Sequence, residues 1–173
     1  MGLEILIRAM AILRRHVPEV LLLIGGMGSL RDDLESLTAS LDLNDHVRFV
    51  GFVPDEQLPL YYQAADLFVL PTRELEGFGL VTVEALACGT PVLGTPVGAT
   101  PEILLPLRSD LIFPGTDPDA IAQLILEHHQ RLRSDPDGHQ ALRNACRRHA
   151  VDRYAWPPLI KALEEVLLKA TET

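Results

Sequence analysis

Five short apolar runs alternate with stretches of helical periodicity, and that alternation constrains the fold more than any other feature of the chain. The runs are Val20–Ile24 (VLLLI), Val47–Val50 (VRFV), Asp66–Leu70 (DLFVL), Pro91–Leu93 (PVL) and Leu111–Phe113 (LIF). VLLLI is apolar throughout, as in a strand buried on both faces of a parallel sheet. Between the runs, Leu3, Leu6, Ile7, Met10, Leu13 and Val17 recur at helical spacing, so residues 2–16 read as an amphipathic helix. Strands alternating with helices predict a parallel sheet with helices on both faces, a Rossmann-like α/β domain. Ligands of such domains bind at the carboxyl ends of the strands.

The remaining helices follow from local signals. Ser29 with Asp32 has the pattern of a capping box, and Leu30, Leu34, Leu37 and Leu41 mark one face of the helix behind it. Asp55–Ala65 reads as a short helix, residues 79–88 as a helix opened by a glycine segment, and Thr100–Leu104 as a helical turn. Asp117 and Pro118 are an N-cap and a first-turn proline for a helix through Arg133. Residues 136–151 and 157–170 are also helical, with residues 134–139 as the loop before them. Leu159, Leu163, Val166, Leu167 and Ala170 share one side of the last helix.

A chain of 173 residues with 47% apolar content suits one folded domain, residues 1–173. A net charge of −9 without a basic stripe argues against nucleic acid as a partner. Cys88 and Cys146 form neither a CxxC pair nor a metal spacing, which fits a reduced, cytoplasmic protein. Glu4, Arg8, Arg14 and Arg15 make the amphipathic N-terminal stretch unlike a signal peptide. The longest uncharged run, Ala85–Pro101, holds three prolines and does not read as a membrane span.

The segment from Pro71 to Pro96, PTRELEGFGLVTVEALACGTPVLGTP, carries the chemistry. Gly77, Phe78 and Gly79 lie after one strand and before a helix, at the ligand-binding edge. Glycines let backbone approach a ligand, and the first-turn N–H groups of the helix, from Gly79 through Leu80 to Val81, suit a phosphate. Glu84 lies one to two turns in, where a carboxylate can accept hydrogen bonds from a ribose diol. Glu76, in the loop, can accept hydroxyls of a second sugar. The spacing suits a ligand built as sugar, phosphate and nucleoside. Read blandly, both glutamates are solvated surface residues, as most are; Glu84 interrupts an otherwise apolar helix, which weighs against that.

The stretch EGFGLVTVEALACGTPVLGTPVGATPEIL closely resembles the E-x7-E segment of the retaining family-4 (group 1) glycosyltransferases of the two-lobed GT-B fold. MGLEILIRAMAILRRHVPEVLLLIGGMG, VRFVGFVPDEQLPLYYQAADLFVLPT and YAW at Tyr154–Trp156 resemble further stretches of the C-terminal, donor-binding lobe. The resemblance implies that Glu76 binds donor-sugar hydroxyls and helps to position or stabilise the reacting centre. It implies that the backbone of Gly77, Phe78, Gly79, Leu80 and Val81 binds sugar and phosphate, and that Glu84 holds the ribose. Val53 would meet the base through its main chain, with Leu58 nearby, and Gly26 and Gly28 would line the same cleft. A hexosyl group would pass from a nucleotide-sugar to a glycan or lipid-linked acceptor with retention, without a metal or other cofactor. The enzyme would be cytoplasmic, and peripheral at the inner membrane face where the acceptor is lipid-linked.

Two parts of the family pattern have no counterpart in these residues. Met1 stands where the family has the Lys of Lys-Gly, and the strand that ends in Gly-Arg before it is missing. In the order 3-2-1-4-5-6 that strand is central, between Val20–Ile24 and Asp66–Leu70. The acceptor-binding lobe is missing as well, and the helix at residues 157–170 would pack on it. The chain by itself is therefore expected to be inactive, and another chain, a swapped segment or collapse of the sheet could fill the gap. Arg31 and Arg73 are candidate substitutes for the lost cations, though each also reads as a surface residue. A nucleotide-sugar-binding subunit of a split enzyme and a sugar-nucleotide 2-epimerase are the alternative readings.

Other signals are weaker. His128 and His129 diverge by about 100° on a helix, which disfavours a shared metal. His139, Cys146 and His149 lack a fourth ligand, so both sets read as structural. Tyr154 and Trp156 could form a platform for a sugar, but packing of the last helix is the stronger reading.

Overall fold

The computed structural model describes residues 2–74 and 77–171. Its elements, in chain order, are α1 (Leu3–Leu13), β1 (Leu22–Gly25), α2 (Arg31–Ser40), β2 (Val47–Gly51), α3 (Leu58–Ala64), β3 (Phe68–Leu70), α4 (Leu80–Ala87), β4 (Val92–Gly94), α5 (Thr100–Leu104), a 3₁₀ turn (Ser109–Leu111), α6 (Pro118–Ser134), α7 (Pro136–Tyr154) and α8 (Trp156–Thr171). Met1, expected at the family's lysine position, and Glu76, expected to bind the donor sugar, lie outside the described residues.

The strands are parallel, as the alternation predicts. β1 pairs with β2 (Leu22 with Val47, Ile24 with Phe49, Gly25 with Gly51), and β3 with β4 (Phe68 with Val92, Leu70 with Gly94). Among the described residues no ladder joins β1 to β3. The break falls where the order 3-2-1-4-5-6 expects a further central strand.

Helix burial follows the sequence pattern. α1 buries Leu6, Ile7, Met10 and Leu13 and packs on α6 and α2, while α4 packs on α7. Leu86, Val92, Leu93, Ile103, Leu104, Leu111, Phe113 and Ile121 join one continuous core. Each such side chain contributes about 1.5–3 kcal/mol when fully buried. Asp117 caps α6, its Oδ1 accepting from the Ala120 N–H at 2.9 Å.

Several expectations need correction. β1 is not buried on both faces: Leu21, just before it, and Leu23 are 47% and 44% exposed, so nothing covers that side of the strand among the described residues. Ser29 does not cap α2, which begins at Arg31 after Leu30 without a side-chain cap, and Leu30 is exposed. Leu111–Phe113 forms no strand; the chain makes a 3₁₀ turn there and touches the sheet through a single bridge, Gly94 with Ile112. Residues 134–139 form no extended loop. Asp135 alone separates α6 from α7, and its Oδ1 accepts from the Gly138 N–H at 2.9 Å, so Pro136 opens the next helix directly. Trp156 does not pack α8 and is 76% exposed, since α8 leaves the domain at the end of α7 with its described side chains exposed on every side.

Among the described residues no helix is long and apolar enough to cross a membrane.

Candidate functional site

Parallel pairing carries the loops after β1 and β2 to one end of their sheet, and the loop after β3 to the corresponding end of the other. The Gly26 N–H donates to the Gly51 carbonyl at 2.7 Å, tying the first two loops together. Gly26 has φ 113°, a backbone conformation that favours glycine, and a Cβ there would meet nothing within 4 Å. Gly28 and Gly77 face open space as well. Val53 is half-buried at the end of β2, with its Cγ2 3.5 Å from where a Gly25 Cβ would stand. Leu58, also half-buried, opens α3. Arg31 reaches the same end: its guanidinium lies 6.0 Å from the Phe49 ring centroid and bonds the Glu35 carboxylate at 2.7 Å.

The loop after β3 is held from two sides. Gly2 is buried, and a Cβ on it would sit 1.7 Å from the Pro71 carbonyl oxygen, so α1 begins directly against that loop. Arg73 pairs with Glu4 of α1 at 3.1 Å across an exposed surface. Further on, Phe78 lies edge-on to Tyr154 at the end of α7. Gly79 takes a left-handed conformation, φ 74° and ψ 53°, and turns the chain into α4; its carbonyl accepts from the Thr82 N–H at 2.8 Å.

α4 divides its residues by face. Thr82, Ala85 and Leu86 are buried, while Leu80, Val81 and Glu84 are exposed together on the other side. Glu84 is nevertheless not a free surface carboxylate. The Tyr62 hydroxyl donates to its Oε2 at 3.0 Å. Tyr62 itself is buried on α3, one turn after Leu58. Burial, and then the negative charge of Glu84, push the Tyr62 phenol well above its ordinary range. One turn beyond Glu84, burial raises the Cys88 thiol, opposed by the Arg147 guanidinium.

The sequence-predicted residues thus fall into two groups. Gly26, Gly28 and Val53 gather at the end of β1 and β2, while Phe78, Gly79, Leu80, Val81 and Glu84 stand at the end of β3. The hydrogen bond from Tyr62 joins Glu84 to α3, and so to Leu58. No sequence motif marks Tyr62; its spacing of four from Leu58 on one face of α3 is the signal that points to it. A separate hollow of about 700 Å³, lined by His16, Val17, Leu126, His129 and Arg133, lies at the C-terminal end of α1. Gly2, at the other end of that helix, abuts the loop after β3, so the hollow is remote from these loops.

Two of the histidines named from sequence bond backbone carbonyls. His128 Nε2 donates to the Asp110 carbonyl at 3.0 Å, and His149 Nε2 to that of Ile103 at 2.9 Å. Among the described residues no three His, Cys, Asp or Glu side chains are grouped to hold a metal.

Residues 1–148 match the family described as glycosyl transferases group 1. The chain is 36% identical over 172 residues to the GDP-mannose-dependent alpha-(1-6)-phosphatidylinositol monomannoside mannosyltransferase of Mycolicibacterium smegmatis, covering 96% of this chain and 44% of that protein. Among solved structures, the C-terminal domain of a glycosyl transferase group 1 family protein from Francisella tularensis superimposes with a TM-score of 0.72 at 24% identity, over 88% of this chain and 79% of that one. The Anabaena protein HepE, solved in complex with UDP-glucose, aligns with a TM-score of 0.79 at 24% identity, over 95% of this chain and 44% of its own. The chain spans less than half the length of the curated relatives it matches. The sequence match and the shared fold lead to one assignment: this chain belongs to the group 1 glycosyltransferases and has the fold of their C-terminal GT-B lobe.

Proposed function

We propose that this chain is the donor-binding lobe of a retaining hexosyltransferase. It holds a nucleotide-diphospho-sugar, and the hexosyl group passes to a glycan or lipid-linked glycan carried by a separate lobe. One observation carries the reading: an exposed carboxylate, Glu84, stands just inside a helix that a left-handed glycine opens at the carboxyl end of a parallel strand, with a buried phenol bonded to it. In this reading Glu84 accepts the ribose hydroxyls, and Gly77, Phe78, Gly79, Leu80 and Val81 offer backbone N–H groups to the diphosphate and sugar. Glu76 accepts hydroxyls of the donor sugar. Val53 and Leu58 meet the base, and Gly26 and Gly28 leave room beside it.

The chemistry asked of these groups is electrostatic. Negative charge develops on the departing diphosphate while the sugar carbon becomes oxocarbenium-like, and preorganised donors stabilise the first without reorganising. We read the transfer as needing no metal, so a chelator is expected to leave it unchanged. The helix at residues 157–170 is assigned to the contact with the acceptor lobe; the outward Leu159, Ile160, Leu163 and Leu167 support that assignment.

Calorimetric titration with UDP, GDP, ADP and their glucose or mannose conjugates tests the reading. One nucleotide is expected to bind, and Glu84→Ala to weaken it roughly ten- to hundredfold, since a hydrogen bond to a charged group is worth about 1.5–3 kcal/mol. Equal affinity in the variant would remove Glu84 from the site.

A further inference from the structure

We infer that Tyr62 is a positioning residue for Glu84: its hydroxyl fixes one carboxylate oxygen and leaves the other available to the ribose diol. The inference rests on the reading of Glu84 as the ribose ligand.

Tyr62 is restrained from several directions. Only 8% of it is exposed. Its ring meets Phe68 of β3 edge to face, with centroids 5.4 Å apart and planes at 77°. Its carbonyl accepts from the Thr90 hydroxyl, and Thr90 lies between α4 and β4. The phenol oxygen therefore has little freedom, and it stands 3.0 Å from Glu84 Oε2.

Glu84 has the opposite character. It is exposed, on a helix face shared with Leu80 and Val81. A free glutamate there would sample many rotamers, and glutamate loses more side-chain entropy than most residues when it is ordered. A diol needs two acceptor sites in fixed relation. The phenol has one hydrogen to give, so Oε1 keeps both lone pairs and Oε2 keeps one. The bond thus orders the carboxylate before the ligand arrives and uses up the smaller part of its accepting capacity. Satisfying a buried phenol would by itself require only some acceptor. Here the acceptor is the side chain assigned to the ligand.

The first test needs no ligand. In the full chain carrying 13C-labelled glutamate, relaxation of the Glu84 carboxyl is expected to report an ordered side chain, which becomes as mobile as the other exposed glutamates in Tyr62→Phe. Equal mobility in the two proteins would overturn the inference. The second test reads ribose selectivity, titrating UDP and GDP against their 2′,3′-dideoxy analogues. Tyr62→Phe is expected to weaken the ribonucleotide roughly five- to tenfold and the dideoxy analogue less than twofold, with no effect in a Glu84→Ala background. Weakening of both ligands alike, or selectivity kept in full, would leave Tyr62 a packing residue only. Failure of Glu84→Ala to alter ribonucleotide binding would instead sink the site reading, even where relaxation still shows Tyr62 ordering Glu84.

Discussion

The ring of Phe78 meets the ring of Tyr154 edge to face, with centroids 5.8 Å apart and planes at 70°. Tyr154 in turn lies against His149, whose Nε2 bonds the Ile103 carbonyl. A loop with glycine on either side of Phe78 is thereby fastened to the end of α7. An aromatic pair contributes about 0.5–1.5 kcal/mol beyond its buried area. Tyr154→Ala is expected to speed amide hydrogen exchange in residues 77–82 severalfold while leaving β1 and β2 unchanged. Unaltered exchange there would mean that the ring contact does not hold the loop.

Gly2 and Gly28 should respond oppositely to a methyl group. A Cβ on Gly2 meets the Pro71 carbonyl oxygen at 1.7 Å, so α1 or the loop must shift. Gly2→Ala is expected to cost roughly 1–3 kcal/mol in urea unfolding, the usual range for overpacking. Gly28 faces open space, and Gly28→Ala should stay within about 0.5 kcal/mol of the parent. A loss of nucleotide affinity in that variant without a loss of stability would mark Gly28 as cleft lining.

Burial pushes the His128 imidazole below its ordinary range, against the opposing pull of its bond to the Asp110 carbonyl. The native state then binds fewer protons than the unfolded chain once the pH falls through the ordinary histidine value of about 6.5. Stability present above that value is lost as the pH drops toward the lower folded value. His139, also lowered by burial, has the same sign. The melting temperature is expected to fall between pH 7.5 and 5.5, and less steeply in His128→Gln. Asp110, lowered by its bonds from Arg108 and Arg131 against the cost of burial, acts only in more acidic solution.

Arg143 of α7 donates to the carbonyls of Ala65 and Gln63, each at 3.0 Å, at the end of α3. These are carbonyls that the helix cannot satisfy by itself. Arg143→Met keeps the apolar stem and removes both bonds, and is expected to cost about 1.5–3 kcal/mol by denaturant unfolding. A change below about 0.5 kcal/mol would show that water replaces the guanidinium.

What the sequence determined by itself was the local physics. Among the described residues, apolar period and turn residues located all eight α-helices and four of the five expected strands, to within a few residues. The Asp117–Pro118 cap and the glycine opening of α4 were legible because each acts over a single turn. What the tertiary structure decided was everything that depends on neighbours. Leu111–Phe113 has the composition of a strand, yet it makes one bridge, because strand pairing requires a partner in register. VLLLI has the composition of a strand buried on both faces, yet Leu21 and Leu23 are exposed, because burial depends on what lies alongside. Glu84 could be named from its spacing to Glu76, but not its bond to Tyr62, twenty-two residues away. Side-chain hydrogen bonds between distant residues leave no period in a sequence, and they become visible only once the chain has folded.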